Sequence, residues 1–158
     1  MTALSLAGSG LVLLSSLLLA HSLVAVERAR LAQIEAYLAL LRLIRGQIAC
    51  YSRSFSEICS RIAPEMLAAC GFEGPGESLE AMLCRADLLL PDEAERVVRG
   101  FAGELGRGYK TEQLAVCDAA ITDLDAIAEA ARRRLPEKLR LCRVCCICGG
   151  LAVILLLI

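Results

Sequence analysis

Apolar and polar residues are sorted into blocks along this chain before they are sorted by helix face. Residues 3–26 are apolar, broken only by small residues, serines and His21. Residues 144–158 are apolar again, and every charged side chain lies between Glu27 and Arg143. As a helix the first run is about 36 Å long, enough to cross a hydrocarbon core of about 30 Å with some tilt. A signal peptide is its other reading, but residues 1–10 hold no Lys or Arg, and the run exceeds a usual h-region. The second run reaches only about 22 Å. Leu141 and Cys142 extend it where Arg140 and Arg143 snorkel to the interface. A buried terminal helix is the other reading there, yet residues 151–158 are apolar on every face and show no stripe to water. The pattern predicts transmembrane helices over 3–26 and 144–158 around a polar domain, 27–143.

Inside that domain the period is helical. Leu31, Ile34, Tyr37, Leu38, Leu41, Ile44 and Ile48 recur at three- and four-residue steps. No Gly or Pro separates them from the first apolar run, so one continuous helix is expected. Gly46 is its weak point, at about 1 kcal/mol against Ala. A short helix follows, capped by Ser54 or Ser56, with Phe55, Ile58, Cys59 and Ile62 inward. Pro64 breaks it or opens a turn over 65–70. The glycine-rich stretch 71–76 is a loop. Ser78 restarts a helix carrying Leu79, Met82 and Leu83, which ends by Leu90 because Pro91 disfavours helix before it. Pro91, Asp92 and Glu93 open the next, which buries Ala94, Val97, Val98 and Phe101 and stops among Gly100, Gly103, Gly106 and Gly108. The last begins near Thr111 and steps through Leu114, Cys117, Ile121, Leu124 and Ala128, with a kink expected at Pro136. No strand alternation is visible. The expected fold is all-α, a bundle of about five or six helices between the two spans.

Composition sharpens this picture. Hydrophobic residues make up 57% of the chain, above the roughly 45–50% of soluble domains, and the excess sits in the two end runs. A net charge of −1 gives no bulk case for nucleic acid, and 4% aromatics without Trp leave no stacking platform for single strands. Basic residues flank the apolar runs on their inner sides only: Arg28 and Arg30, then Arg132, Arg133, Arg134, Lys138, Arg140 and Arg143. By the positive-inside rule the central domain is cytoplasmic and both termini face outward, in a two-span protein of the cell membrane. Arg132, Arg133 and Arg134 either hold acidic lipid headgroups or act simply as a topology signal.

Candidate chemistry is sparse. Cys142, Cys145, Cys146 and Cys148 form a C-x-x-C-C-x-C cluster with no second pair at the usual zinc spacing. Its readings are packing at the start of an apolar helix, lipidation, or a metal or redox sensor. Cys50, Cys59, Cys70, Cys84 and Cys117 read as core packing. His21 is the one histidine, so Cys–His and Ser–His mechanisms have no support. The glycines of 100–108 fit neither phosphate-binding pattern and read as a helix–helix turn. Asp118, Asp123, Asp125 and Glu129 read as a solvated face. No enzyme activity, cofactor or metal is expected.

From Phe101 through Leu105 and Gly106 to Gln113 the chain resembles the stage III sporulation protein AB family. A Leu-Gly is followed seven residues later by Gln, which opens a long helix into a terminal apolar span. The resemblance covers nearly the whole chain. It includes the N-terminal run, the helix with Leu41, Ile44, Ile48 and Tyr51, and the stretch from Phe55, Glu57 and Ile58 to Arg61, Ile62 and Ala63. Two positions depart from the family pattern: Tyr109 stands where Asp is usual, and Gln47 where an acidic residue is common. The resemblance implies a role in endospore formation, within a secretion-like channel complex linking mother cell and forespore. It implies a cytoplasmic domain similar to that of the type II secretion F platform protein. This chain would then be a non-catalytic platform subunit, coupling a secretion-type ATPase to other membrane subunits. A homo-oligomer is compatible with that role.

Overall fold

The computed structural model describes the backbone of residues 3–51 and 55–157, with side chains for 14–16, 18–51, 55–142 and 144–149. Six helices follow one another among them: α1 (Ala3–Tyr51), α2 (Phe55–Cys59), α3 (Pro64–Ala69), α4 (Leu79–Leu83), α5 (Asp92–Glu104) and α6 (Lys110–Leu157). All regular structure among the described residues is helical, as the periodicity predicts. The chain divides into two units, Arg30–Ala131 and a second made of Met1–Ala29 with Arg132–Ile158.

In Arg30–Ala131 the core is built on α1. Ile34, Tyr37, Leu40, Leu41 and Ile44 are at most 1% exposed, so this helix is covered on most of its circumference. From α6 come Cys117, Ala120, Leu124 and Ala128, a seam stepping by three and four residues. The two helices are antiparallel here: Arg42 pairs with Asp125, Arg45 with Asp118, and Lys110 Nζ donates to the carbonyl of Ala49. α5 adds Ala94, Val98 and Phe101, and the short helices add Ile58, Cys59, Leu67, Leu79, Met82 and Leu83.

The start signals read from the sequence hold. Pro64 occupies the first turn of α3, Pro91 is the N-cap of α5, and the Ser78 hydroxyl accepts from the Ala81 N–H at the head of α4. The Ser54 cap lies outside the described residues. One expectation is corrected. α4 ends at Leu83 rather than near Leu90. Beyond it Asp87 N–H donates to Gly71 O, and Leu89 N–H donates to Gln33 Oε1, so this backbone is satisfied from outside any helix. α5 stops among its glycines as expected, running through Gly100 and Gly103 to end at Glu104, ahead of Gly106 and Gly108 with their positive φ. α6 continues through Pro136.

The second unit pairs the ends of α1 and α6. Ala20 and Val24 are buried, and Lys138 Nζ lies 3.2 Å from Glu27 Oε2. Leu14, Leu18, Leu19, Leu23, Leu141 and Val144 are exposed. Among the described residues no helix is long and apolar enough to cross a membrane. Much of each expected span, 3–13 and 150–158, has its side chains outside the described residues.

Candidate interaction surface

The turn from α5 to α6 carries the residues singled out in the sequence. Leu105 closes α5: its N–H donates to Phe101 O, its backbone turns to an extended conformation, and its side chain packs half-buried on the core. Gly106 then takes φ +84°, a left-handed conformation that side chains disfavour by about 1–2 kcal/mol. No neighbour would meet a Cβ there, so conformation alone demands the glycine. Gly108 repeats the device at φ +86°.

Tyr109 is the residue before the first turn of α6 and is 81% exposed. The Glu112 carboxylate reaches back to accept from the Tyr109 N–H at 2.9 Å. That is one half of a capping box, whose other half needs an Asp, Ser or Thr oxygen at 109. Gln113 completes the turn by donating from Nε2 to Gly108 O at 3.2 Å. Leu105, Gly106 and Gln113 thus act together: an anchor, a reversal and a clasp. Beside them a groove of about 200 Å³ opens between α4 and α5. Phe55, Leu79, Ala102 and Leu105 supply its apolar lining, and Glu77, Glu80 and Arg107 its charges.

A second constellation was not visible in the sequence. Gln33 is 6% exposed, the buried polar residue of α1. Its amide nitrogen donates to Cys70 O at 3.2 Å and to Asp87 O at 3.0 Å, while its oxygen accepts from Leu89 N–H at 2.7 Å. One side chain therefore ties α1 to the end of α3 and to the segment before α5. Gly71 makes this possible. α3 ends in a Schellman motif, with Gly71 N–H to Ala68 O and Phe72 N–H to Leu67 O, and Gly71 at φ +86°. A Cβ there would sit 2.5 Å from Asp87 O and 2.8 Å from Gln33 Nε2.

Asp118 and Asp125 are exposed, as expected of a solvated face, but they are also engaged by arginines of α1. The side-chain hydrogen bond from Arg45 holds the Asp118 carboxyl below its usual range, and the same bond raises the Arg45 guanidinium.

The cysteines divide by environment. Cys59, Cys70 and Cys117 are buried, whereas Cys50 and Cys84 are exposed and so are not the core residues expected. Burial pushes the Cys70 thiol up to about 12 and Cys117 to about 11, so both stay protonated at neutral pH and are poor nucleophiles. Along α6, Cys142 and Cys146 are half-buried while Cys145 and Cys148 are exposed. At i, i+3 and i+4, Cys142, Cys145 and Cys146 lie on one side of that helix. Among the described residues no group of three or more His, Cys, Asp or Glu is placed to hold a metal ion. His21 is exposed.

With this geometry in place, the comparison with protein families is decisive. The sequence profile of stage III sporulation protein AB matches residues 5–158. The chain belongs to the stage III sporulation protein AB family. The match takes in both apolar ends as well as the helical domain, so a sporulation role attaches to the chain as a whole. No curated protein and no solved structure gave a match. Within this stage III sporulation protein AB chain, the position where the resemblance noted Asp is the N-cap of α6, a residue whose side chain would hydrogen-bond the first turn.

Proposed function

We propose that this chain is a platform subunit of a secretion-like channel complex built between mother cell and forespore. The family match over residues 5–158 carries this reading. In it, the apolar runs 3–26 and 144–158 cross the cell membrane, and the Arg30–Ala131 unit stands in the cytoplasm. Both termini face outward. The helical unit receives a secretion-type ATPase and passes its movements to other membrane subunits. The α5–α6 turn with its adjoining groove suits such a contact, because it presents apolar and charged side chains on a backbone fixed by caps at both ends. The chain acts by binding rather than by catalysis. The buried thiols held neutral in its core agree with that.

The test is co-purification of the full chain from membranes of sporulating cells. The secretion-type ATPase is expected to come with the wild-type chain, and its recovery to fall at least tenfold for Leu105→Asp and for Arg107→Glu. Arg107→Glu leaves the core untouched, so it remains informative where Leu105→Asp fails to fold. A membrane-bound, folded wild-type chain that retains no ATPase after cross-linking would overturn the reading.

A further inference from the structure

His21 stands within the first apolar run, exposed, and its imidazole has no hydrogen bond or ion pair among the described residues. In the membrane reading, on which this inference rests, the run 3–26 crosses the bilayer and Glu27 marks its inner edge. Six residues of helix put His21 about 9 Å below that edge. Side chains on a helix tilt towards its N-terminus, which here is the outer end. The imidazole is therefore aimed deeper into the hydrocarbon, away from the near surface. A polar group left there without a partner is costly, so the position calls for one.

That partner does not come from α6. Ala20 and Val24 are buried and Glu27 pairs with Lys138, which marks the side of α1 turned towards that helix. His21 lies about 100° further round. It belongs to a second seam, Leu14, Leu18, His21 and Ala25, spaced by four, three and four residues and exposed throughout. Leu14 and Leu18 are 62% and 60% exposed. This is the spacing by which two parallel helices interlock, and a single polar residue in such a seam fixes the register of the pair. Arg28, the next position, is already past the apolar run.

We propose that Leu14, Leu18, His21 and Ala25 of α1 bind the same four residues of a second copy, with the two imidazoles hydrogen-bonded within the seam. Copies of one chain enter the membrane in one orientation, because each carries the same flanking charges. Their first helices are then parallel and their histidines lie at one depth. A neutral imidazole has one N–H donor and one ring-nitrogen acceptor, so one His21 donates to the other. A slip by one step of the seam would set each imidazole against Leu18 or Ala25 and leave it unpaired. Ala25 is small and lets the backbones approach beside the pair.

Two differently tagged forms of the full chain, co-expressed in a bacterium that forms no spores, test this, since such a host supplies none of the other channel subunits. Membranes are washed at alkaline pH and dissolved in mild detergent, and one tag is used to recover the other. The second tag should come with the first in the wild-type chain. His21→Leu keeps the helix apolar but removes the interhelical hydrogen bond, and should cut the recovery about fivefold. His21→Asn, whose amide also donates and accepts, should retain it. Two outcomes overturn the seam: a wild-type chain held in the membrane as single copies, which would leave this face to a different membrane protein, or a His21→Leu chain that pairs as well as the wild type. A wild-type chain washed out of the membrane would instead sink the membrane reading, and the seam with it.

Discussion

Two tyrosines show how single positions set the stability of this domain. Tyr37 is fully buried, edge-on to the Phe72 ring at 5.7 Å, and its hydroxyl has no hydrogen-bond partner among the described residues. Burial pushes the pKa of its phenol up, so the phenol stays neutral. An unpaired buried hydroxyl costs about 1–3 kcal/mol, whereas the ring itself packs well. Tyr37→Phe should therefore stabilise the domain by about 1 kcal/mol in urea unfolding of the detergent-solubilised chain. A loss of similar size would mean that the hydroxyl has a partner. Tyr109 is the opposite case, exposed at a position that calls for a capping oxygen. Tyr109→Asp completes the capping box with Glu112 and adds a negative charge at the head of α6, for a gain of about 1 kcal/mol. Tyr109→Ala removes the same ring without the oxygen and should give no gain. Equal midpoints for the two variants would refute the capping account.

At the scale of elements, the long helices and their starts were legible because their signals are local. Ile34 to Ile48 and Cys117 to Ala128 repeat at helical spacing, and Pro64, Ser78 and Pro91 stand where helices begin. Leu105, Gly106 and Gln113 stood out because they are close in sequence, and the structure brings them to the α5–α6 turn. Gln33 did not stand out. Nothing near it in sequence distinguishes it from a solvated glutamine, and its three partners lie in residues 70, 87 and 89. The same long-range bonds explain why helix does not continue past Leu83. Likewise, Asp118 and Asp125 look like ordinary surface acids until α1 brings Arg45 and Arg42 beside them. Gln33→Leu keeps the volume but orphans two carbonyls and one N–H, at about 1–3 kcal/mol for each group left dry. A loss of at least about 3 kcal/mol is expected, with faster hydrogen exchange at the Leu89 amide. If Gln33→Leu unfolds at the wild-type midpoint with Leu89 still protected, the clamp is not what orders this segment.

For the whole molecule, the partition of charge makes a prediction about orientation that is independent of any partner. Each apolar run has basic residues on its inner flank. Lys and Arg resist transfer across the membrane far more than Asp and Glu do, so the acidic balance of Arg30–Ala131 does not offset them. Both runs then favour the same outcome, with residues 27–143 retained inside and both ends outside. A reporter active only outside should work when fused after Ile158, and one that works only in the cytoplasm should function in the 73–77 loop. Neutralising Arg132, Arg133, Arg134, Lys138 and Arg140 leaves the second run with a single basic neighbour, Arg143. Its orientation should then become mixed, while the first run, still flanked by Arg28 and Arg30, holds its own. A C-terminal reporter that is cytoplasmic in the wild-type chain would show that residues 144–158 do not cross. The helical domain would then hang from the first run alone, with the Glu27–Lys138 pair among the contacts that keep α6 beside it.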